Sequence, residues 1–177
     1  MSKFDIEFLN EAIRLSRENL VDGAGGPFGA VIVWEGKIIA EGKNEVLSGN
    51  DPTAHAEIQA IRNACRHLGS FNLEGCEIYS SCEPCPMCLS AIYWARIEKI
   101  FYSNTRDDAA RIGFDDEFIY KELSLPEAER KIKMHQIEHH SAKKIFEDWM
   151  ISENKIIYWE LTIPINLENI LSLQLIL

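Results

Sequence analysis

Apolar residues Ile6, Leu9, Ile13 and Leu20 recur at helical spacing behind Ser2, a residue suited to capping a helix, and "DGAGG" closes the run. The period then changes. "FGAVIVW" is a short apolar run, "EG" a turn and "KIIAEG" its return, which is the pattern of a hairpin. "SGNDPT" reads as a loop. A second helix is expected from about His55 to Leu68, with Ile58, Ile61, Ala64, Cys65 and Leu68 inward and "LGS" as its stop. "CEIYSS" then reads as a strand, "PMCLSAIYWAR" as a helix and "KIFYS" as a strand. "DDEFIYKEL" and "SAKKIFEDWM" carry helical patterns, and "IKMHQIEH" between them reads as an edge strand. No repeat, low-complexity segment or interdomain linker interrupts the series. Alternating helices and strands predict one α/β layer fold.

Composition narrows what such a domain does. A chain of 177 residues can bury a substantial core, and its 46% hydrophobic and 26% charged residues are those of a soluble globular protein. The opening "MSKFDIEFLNEAIRL" carries acids and lacks the basic start and apolar stretch of a signal peptide. No apolar run approaches the roughly 20 residues that span a bilayer. A cytoplasmic protein without a membrane partner is therefore expected. Eighteen Lys and Arg stand against 28 Asp and Glu, a net charge of −10. The most basic stretch, "RKIKMH", follows closely on "DDEF" and "EAE", so no cationic groove for a nucleic acid is expected.

Three of the five cysteines crowd together in "SCEPCPMC": Cys82, Cys85 and Cys88. In a cytosolic chain such spacing points to metal binding or redox chemistry rather than to a disulfide scaffold. Cys65 and Cys76 lack such neighbours and read as small apolar fillers. Pro84 and Pro86 bracket Cys85, and proline suits the first turn of a helix. Cys85 and Cys88 then lie one turn apart on one face, where the helix dipole favours thiolate. His55 opens the preceding helix in the same way. One histidine and two cysteines give zinc three protein ligands and leave a fourth position for water, which is the mark of a catalytic site.

Glu57 then falls in the first turn of its helix, beside a metal-bound water without being a ligand. It can take the water's proton and hand it to a substrate. Taken singly, His55 is more often a surface or satisfied core histidine, and Glu57 a solvated helix residue. The run C-x2-C-x2-C also suggests an iron–sulfur site, but the fourth cysteine is wanted at position 92, where Ile92 stands. A purely structural zinc would need Cys82 as its fourth ligand; Cys82 otherwise reads as a buried strand end. What separates these readings is the pairing of two half-motifs, His55-Ala56-Glu57 and Pro84-Cys85-Pro86-Met87-Cys88. Together they match the H-x-E and P-C-x-x-C signature of the zinc-dependent base deaminases.

The segments "GGPFGAVIV", "NDPTAHAE", "YSSCEPCPMCLSAIYWAR" and "AARIGFDDEFIYKEL" resemble the bacterial guanine deaminases of the cytidine-deaminase-like fold, over most of the chain to about Tyr158. The resemblance implies a three-layer α/β/α sandwich around a five-stranded mixed sheet. It also implies a homodimer whose C-terminal segments are exchanged, each closing the partner's active site. By motif it makes His55, Cys85 and Cys88 zinc ligands and Glu57 the proton shuttle. It implies that Asn44 hydrogen-bonds the purine, that Phe28 walls the base, and that Asp116 is a second catalytic carboxylate that contacts guanine and relays protons to the leaving amine. Asp116 by itself reads better as a helix N-terminal acid. Trp94 is placed along the pocket, while its spacing from Ile97 suits core packing. Tyr158 falls where the family has an aromatic that caps the partner's pocket. The catalytic domain is read as 1–158, and 159–177 as an atypical apolar tail.

The reaction so implied is hydrolytic deamination of guanine to xanthine and ammonia. Two alternatives share parts of the pattern. A tRNA adenosine deaminase, or a deaminase of another nucleobase, carries the same zinc motif. A zinc-stabilised interaction module would leave Glu57 idle.

Overall fold

Glu35 and Gly36 both take positive φ, 49° and 71°, as a two-residue hairpin turn requires for its twist to match that of the strands. This turn folds β1 (Gly29–Trp34) back on β2 (Lys37–Lys43) in antiparallel register. On its other side β1 pairs antiparallel with β3 (Cys76–Cys82), which runs parallel to β4 (Lys99–Asn104). The sheet is mixed, in the order β2-β1-β3-β4. The computed structural model describes residues 3–158, and the side chains of residues 3 and 4 are not described. Two compact units divide the chain, Met1–Lys133 and Met134–Leu177. The tail expected at 159–177 and the capping role of Ser2 lie outside the described residues.

The sheet has four strands among the described residues, not five. "IKMHQIEH" forms no strand; residues 133–139 have no regular structure. Ile132, Met134 and Ile137 remain exposed there. Alternation holds a strand only when one face is buried and the backbone finds a ladder partner.

Strand alternation sends side chains to two cores. Ala30, Ile32 and Ile78 pack with Ala56, Ala60 and Ala64 of α3 (Ala56–Leu68) and with Ile92 of α4 (Pro86–Trp94). Val31, Val33 and Tyr79 pack on the opposite face with Leu15 of α1 (Lys3–Asp22), joined by Phe8 and Leu9. The result is a helix–sheet–helix arrangement in three layers. Tyr79 sits between Phe8, edge-on at 5.2 Å, and Phe101, stacked at 4.5 Å.

One helix presents a face other than that expected, and another packs most of the expected residues beside a stripe of smaller ones. On α1 the buried positions are Ala12, Leu15 and Asn19, whereas Ile6 and Leu20 are 45% and 73% exposed. Asn19 is held inward by its amide: Nδ2 donates to the carbonyls of Gly26 at 2.9 Å and Asn44 at 2.8 Å. A hydrophobic pattern cannot anticipate a polar residue on the core stripe. On α3 the buried stripe is Ala56, Glu57, Ala60 and Ala64, with Ile61, Cys65 and Leu68 at its margin and Ile58 only half-buried. The reason is Gly42 on β2, where a Cβ would lie 2.2 Å from Ala56 O and 2.4 Å from Ala60 N. Small residues on both sides let the first turn of α3 lie directly against the sheet.

Four shorter pieces follow the strands: α2 (Val46–Gly49), α5 (Arg106–Arg111), α6 (Glu117–Ser124) and a 3₁₀ turn at Glu127–Glu129. The stretch of α5 reads as loop from its sequence pattern, yet a capping box between Thr105 and Asp108 starts a helix there. In the second unit α7 (His140–Ile151) forms as expected, with Ile145, Phe146 and Trp149 exposed. None of the described helices is long and apolar enough to cross a membrane.

Candidate active site

His55 is the N-cap residue of α3 and Cys85 that of α4, both with extended backbone and neither using its side chain to cap its own helix. Their side chains turn toward each other instead. Pro86 occupies the first position of α4, which places Cys88 one turn beyond Cys85. His55 Nδ1 lies 3.5 Å from Cys85 Sγ and 3.5 Å from Cys88 Sγ. All three atoms lie within 4.8 Å of one another. Zinc bonded to nitrogen at about 2.0–2.1 Å and to sulfur at about 2.3 Å in a tetrahedron separates them by roughly 3.5 Å. One imidazole and two thiols also make a donor set that suits zinc better than the oxygen-seeking cations.

The closeness of Cys88 and of His55 pulls the Cys85 thiol down to about 4 despite its burial. The same pairing, with burial, pushes Cys88 far above an ordinary thiol. A cation held in their midst would keep both sulfurs as thiolates. Cys82, buried at the end of β3, approaches Thr105 O at 3.6 Å and is not part of the cluster. The iron–sulfur and four-ligand structural readings thus find no fourth ligand among the described residues.

Glu57 stands two residues beyond His55 and is 6% exposed. Its Oε1 accepts from Ser80 Oγ at 3.2 Å and its Oε2 from Cys88 Sγ at 3.4 Å. Burial raises its carboxyl above the ordinary range. It is a dry carboxylate against the ligand cluster, not a solvated helix residue.

A cavity of about 710 Å³ in the first unit opens onto the cluster, within the size range of small-molecule sites. His55, Glu57, Cys85, Phe28, Asn44 and Asp116 all line it. Asn44 is buried; its Oδ1 accepts from Val46 N at 3.2 Å, and its carbonyl is held by Asn19. Asp116 is the N-cap residue of α6 but makes no side-chain capping bond. Its carboxyl faces the cavity, where burial and then the nearby Cys85 charge raise its pKa. Trp94 ends α4 at 54% exposure and does not line the cavity. Tyr158 belongs to the second unit and is exposed.

Four residues escape a reading of the sequence. Phe114 meets Phe28 edge-on at 4.9 Å and makes an aromatic corner of the cavity. Arg106 lies 5.0 Å over the Tyr120 ring, and its backbone N–H donates to Glu83 Oε2 at 3.1 Å. Tyr120 hydroxyl donates to Pro84 O at 3.3 Å, tying α6 to the residue before Cys85. Ser80 holds Glu57. The Thr105–Asp108 capping box is a local signal that marks where Arg106 begins a helix; the other contacts have no local signal.

A family model for the cytidine and deoxycytidylate deaminase zinc-binding region matches residues 2–104. The chain is 53% identical over 148 residues to the guanine deaminase of Bacillus subtilis (strain 168), covering 84% of this chain and 95% of that protein. An X-ray structure of guanine deaminase from Bacillus subtilis superposes with a TM-score of 0.85 at 51% identity, over 90% of this chain and 100% of that one. A tRNA-specific adenosine deaminase of Aquifex aeolicus (strain VF5) is 48% identical over 96 residues, 54% of this chain and 63% of that protein.

Proposed function

The chain belongs to the cytidine and deoxycytidylate deaminase zinc-binding family, and on that premise we propose that it is a zinc-dependent guanine deaminase, releasing xanthine and ammonia. The observation that carries this reading is the buried Glu57 carboxylate set against the His55, Cys85 and Cys88 cluster, where Glu57, His55 and Cys85 line a cavity roomy enough for a nucleobase. Likeness to the Bacillus subtilis enzyme along nearly its whole length supports guanine over the tRNA substrate, since the tRNA-specific relative is matched over a shorter stretch. The net charge of −10 points the same way.

His55 and the two cysteine sulfurs would hold the zinc. When bound, zinc supplies the Lewis acidity that makes water a nucleophile near neutral pH. Glu57 takes the proton from the attacking water and delivers it to the ring nitrogen beside C2 of guanine. A second transfer to the amine lets ammonia leave. Burial suits Glu57 to both directions, because a raised carboxyl pKa brings it closer to working pH. Asp116 accepts from N–H donors of guanine on the cavity wall. The Asn44 amide fixes the ring, and Phe28 with Phe114 covers its face.

The substrate is tested by ammonia release from guanine, adenine, cytosine, adenosine and tRNA. Guanine is expected to exceed every other by about 100-fold or more, because a site built around its N–H donors leaves a buried acceptor unpaired with analogues lacking them. Asp116→Ala is expected to erase most of that preference. Equal turnover of adenosine or tRNA would refute the assignment of substrate.

In this reading residues 1–158 make the catalytic chain, and two copies exchange their C-terminal segments so that Tyr158 covers the other copy's cavity. What supports it is α7, which leaves Ile145, Phe146 and Trp149 exposed on one side, the kind of apolar surface that marks a contact with another chain. Exchange of identical segments yields a closed two-fold dimer from contacts a monomer would otherwise make. Sedimentation of the full chain is expected to show a dimer. Truncation before Tyr158 is expected to lower guanine turnover at unchanged zinc content. A fully active monomer would end this proposal.

A further inference from the structure

β3 carries two adjacent buried serines, Ser80 and Ser81, which alternation sends to opposite faces of the sheet. Ser81 serves the backbone, its Oγ accepting from Gly29 N at 3.0 Å. Ser80 does something else. Its Oγ accepts from Cys82 N at 3.4 Å and lies 3.2 Å from Glu57 Oε1. With the amide on a lone pair, the hydroxyl hydrogen is left for the carboxylate. Ser80 is fully buried, and its backbone is fixed in the sheet between Ala30 of β1 and Tyr102 of β4. Its side chain therefore has little freedom to point elsewhere.

Oε2 of Glu57 accepts from Cys88 Sγ. A cysteine that ligates a metal has given up its proton, so in the metal-bound enzyme this donor is gone. Apart from Glu57's own backbone N–H, Ser80 is then the side-chain donor left to the Glu57 carboxylate among the described residues. A buried carboxylate that loses such a bond is released to rotate away from its working position, because a charge-bearing hydrogen bond is among the stronger ones.

We propose that Ser80 is a positioning residue for the proton carrier, anchoring Oε1 of Glu57 so that Oε2 stays turned to the attacking water. The inference rests on the reading of Glu57 as that carrier. Ser80 is not among the residues lining the cavity or in the ligand cluster, so it acts through Glu57 alone.

The test is a double-mutant cycle of Ser80→Ala and Glu57→Gln, with zinc content and with kcat and KM for guanine measured for all four proteins. Ser80→Ala is expected to keep one zinc per chain and a KM within about twofold, while kcat falls about tenfold or more. In the Glu57→Gln background the same change is expected to add nothing, because no proton carrier remains to be positioned. Wild-type kcat in Ser80→Ala would overturn the proposal. So would loss of zinc from that variant, or an equal fold-loss in both backgrounds, since each marks a general structural role. Should Glu57→Gln itself turn over like the wild type, the reading of Glu57 fails first, and the anchor has nothing to act on.

Discussion

Glu57→Gln is expected to keep its zinc and to lose guanine turnover by about 10²- to 10⁴-fold, the range that a positioned acid–base group contributes. Glutamine has the volume of glutamate and still accepts a hydrogen bond from Ser80, so the buried site at the start of α3 is not emptied. What it lacks is a protonatable oxygen. The site is 6% exposed, and bulk solvent is poorly placed to substitute as the carrier. Loss should fall on kcat, because the proton moves only on the way to the transition state. Zinc analysis of the purified variant, with steady-state kinetics on guanine, checks both halves. Turnover near the wild-type rate would leave the interaction-module reading standing.

Cys88→Ser is expected to lose the metal and the activity together. Cys88 is fully buried and its Sγ lies 3.5 Å from His55 Nδ1. A serine oxygen at that place is a poor ligand for zinc, because a hydroxyl gives up its proton to a metal far less readily than a thiol does. Two remaining ligands do not make a site, so zinc per chain is expected to fall about tenfold or more after dialysis, with turnover falling in parallel. Zinc bound to the folded state also stabilises it by linkage, so the variant and the chelated wild type are both expected to melt earlier. Cys82→Ser is the matched control: it alters a buried cysteine three residues before Cys85 and is expected to retain zinc. If Cys82→Ser loses zinc as Cys88→Ser does, the three-ligand assignment is wrong.

These two variants touch the part of the protein that is legible in its sequence. His55 and Glu57 share one helical turn, and so do Cys85 and Cys88. Whether such residues face one way depends on local backbone geometry, which Pro86 and the helix starts impose within a few positions. The strands β1, β2, β3 and β4 are legible for a similar reason, since each is a short apolar run with turn residues at its ends. Asp116 shows the limit of reading residues one at a time. Taken alone it is a helix-terminal acid, and it does begin α6, yet it makes no capping bond and lines the cavity.

Other features are settled between segments far apart in the chain. Which face of α1 is buried depends on Asn19 finding the carbonyls of Gly26 and Asn44, and periodicity ranks an asparagine as outward. The alanine stripe of α3 depends on Gly42, a residue of another element whose missing Cβ admits the helix backbone. The alternating "IKMHQIEH" has the period of a strand but no sheet face to bury against. The pairings of Phe28 with Phe114 and Ser80 with Glu57 join residues far apart in the chain. Elements and half-motifs were open to a linear reading because period, turn residues and helix starts act within one or two turns of chain. What those elements meet was not, because it waits on sheet order and close approach. These set each partner's distance through space, and no local run of residues carries that distance.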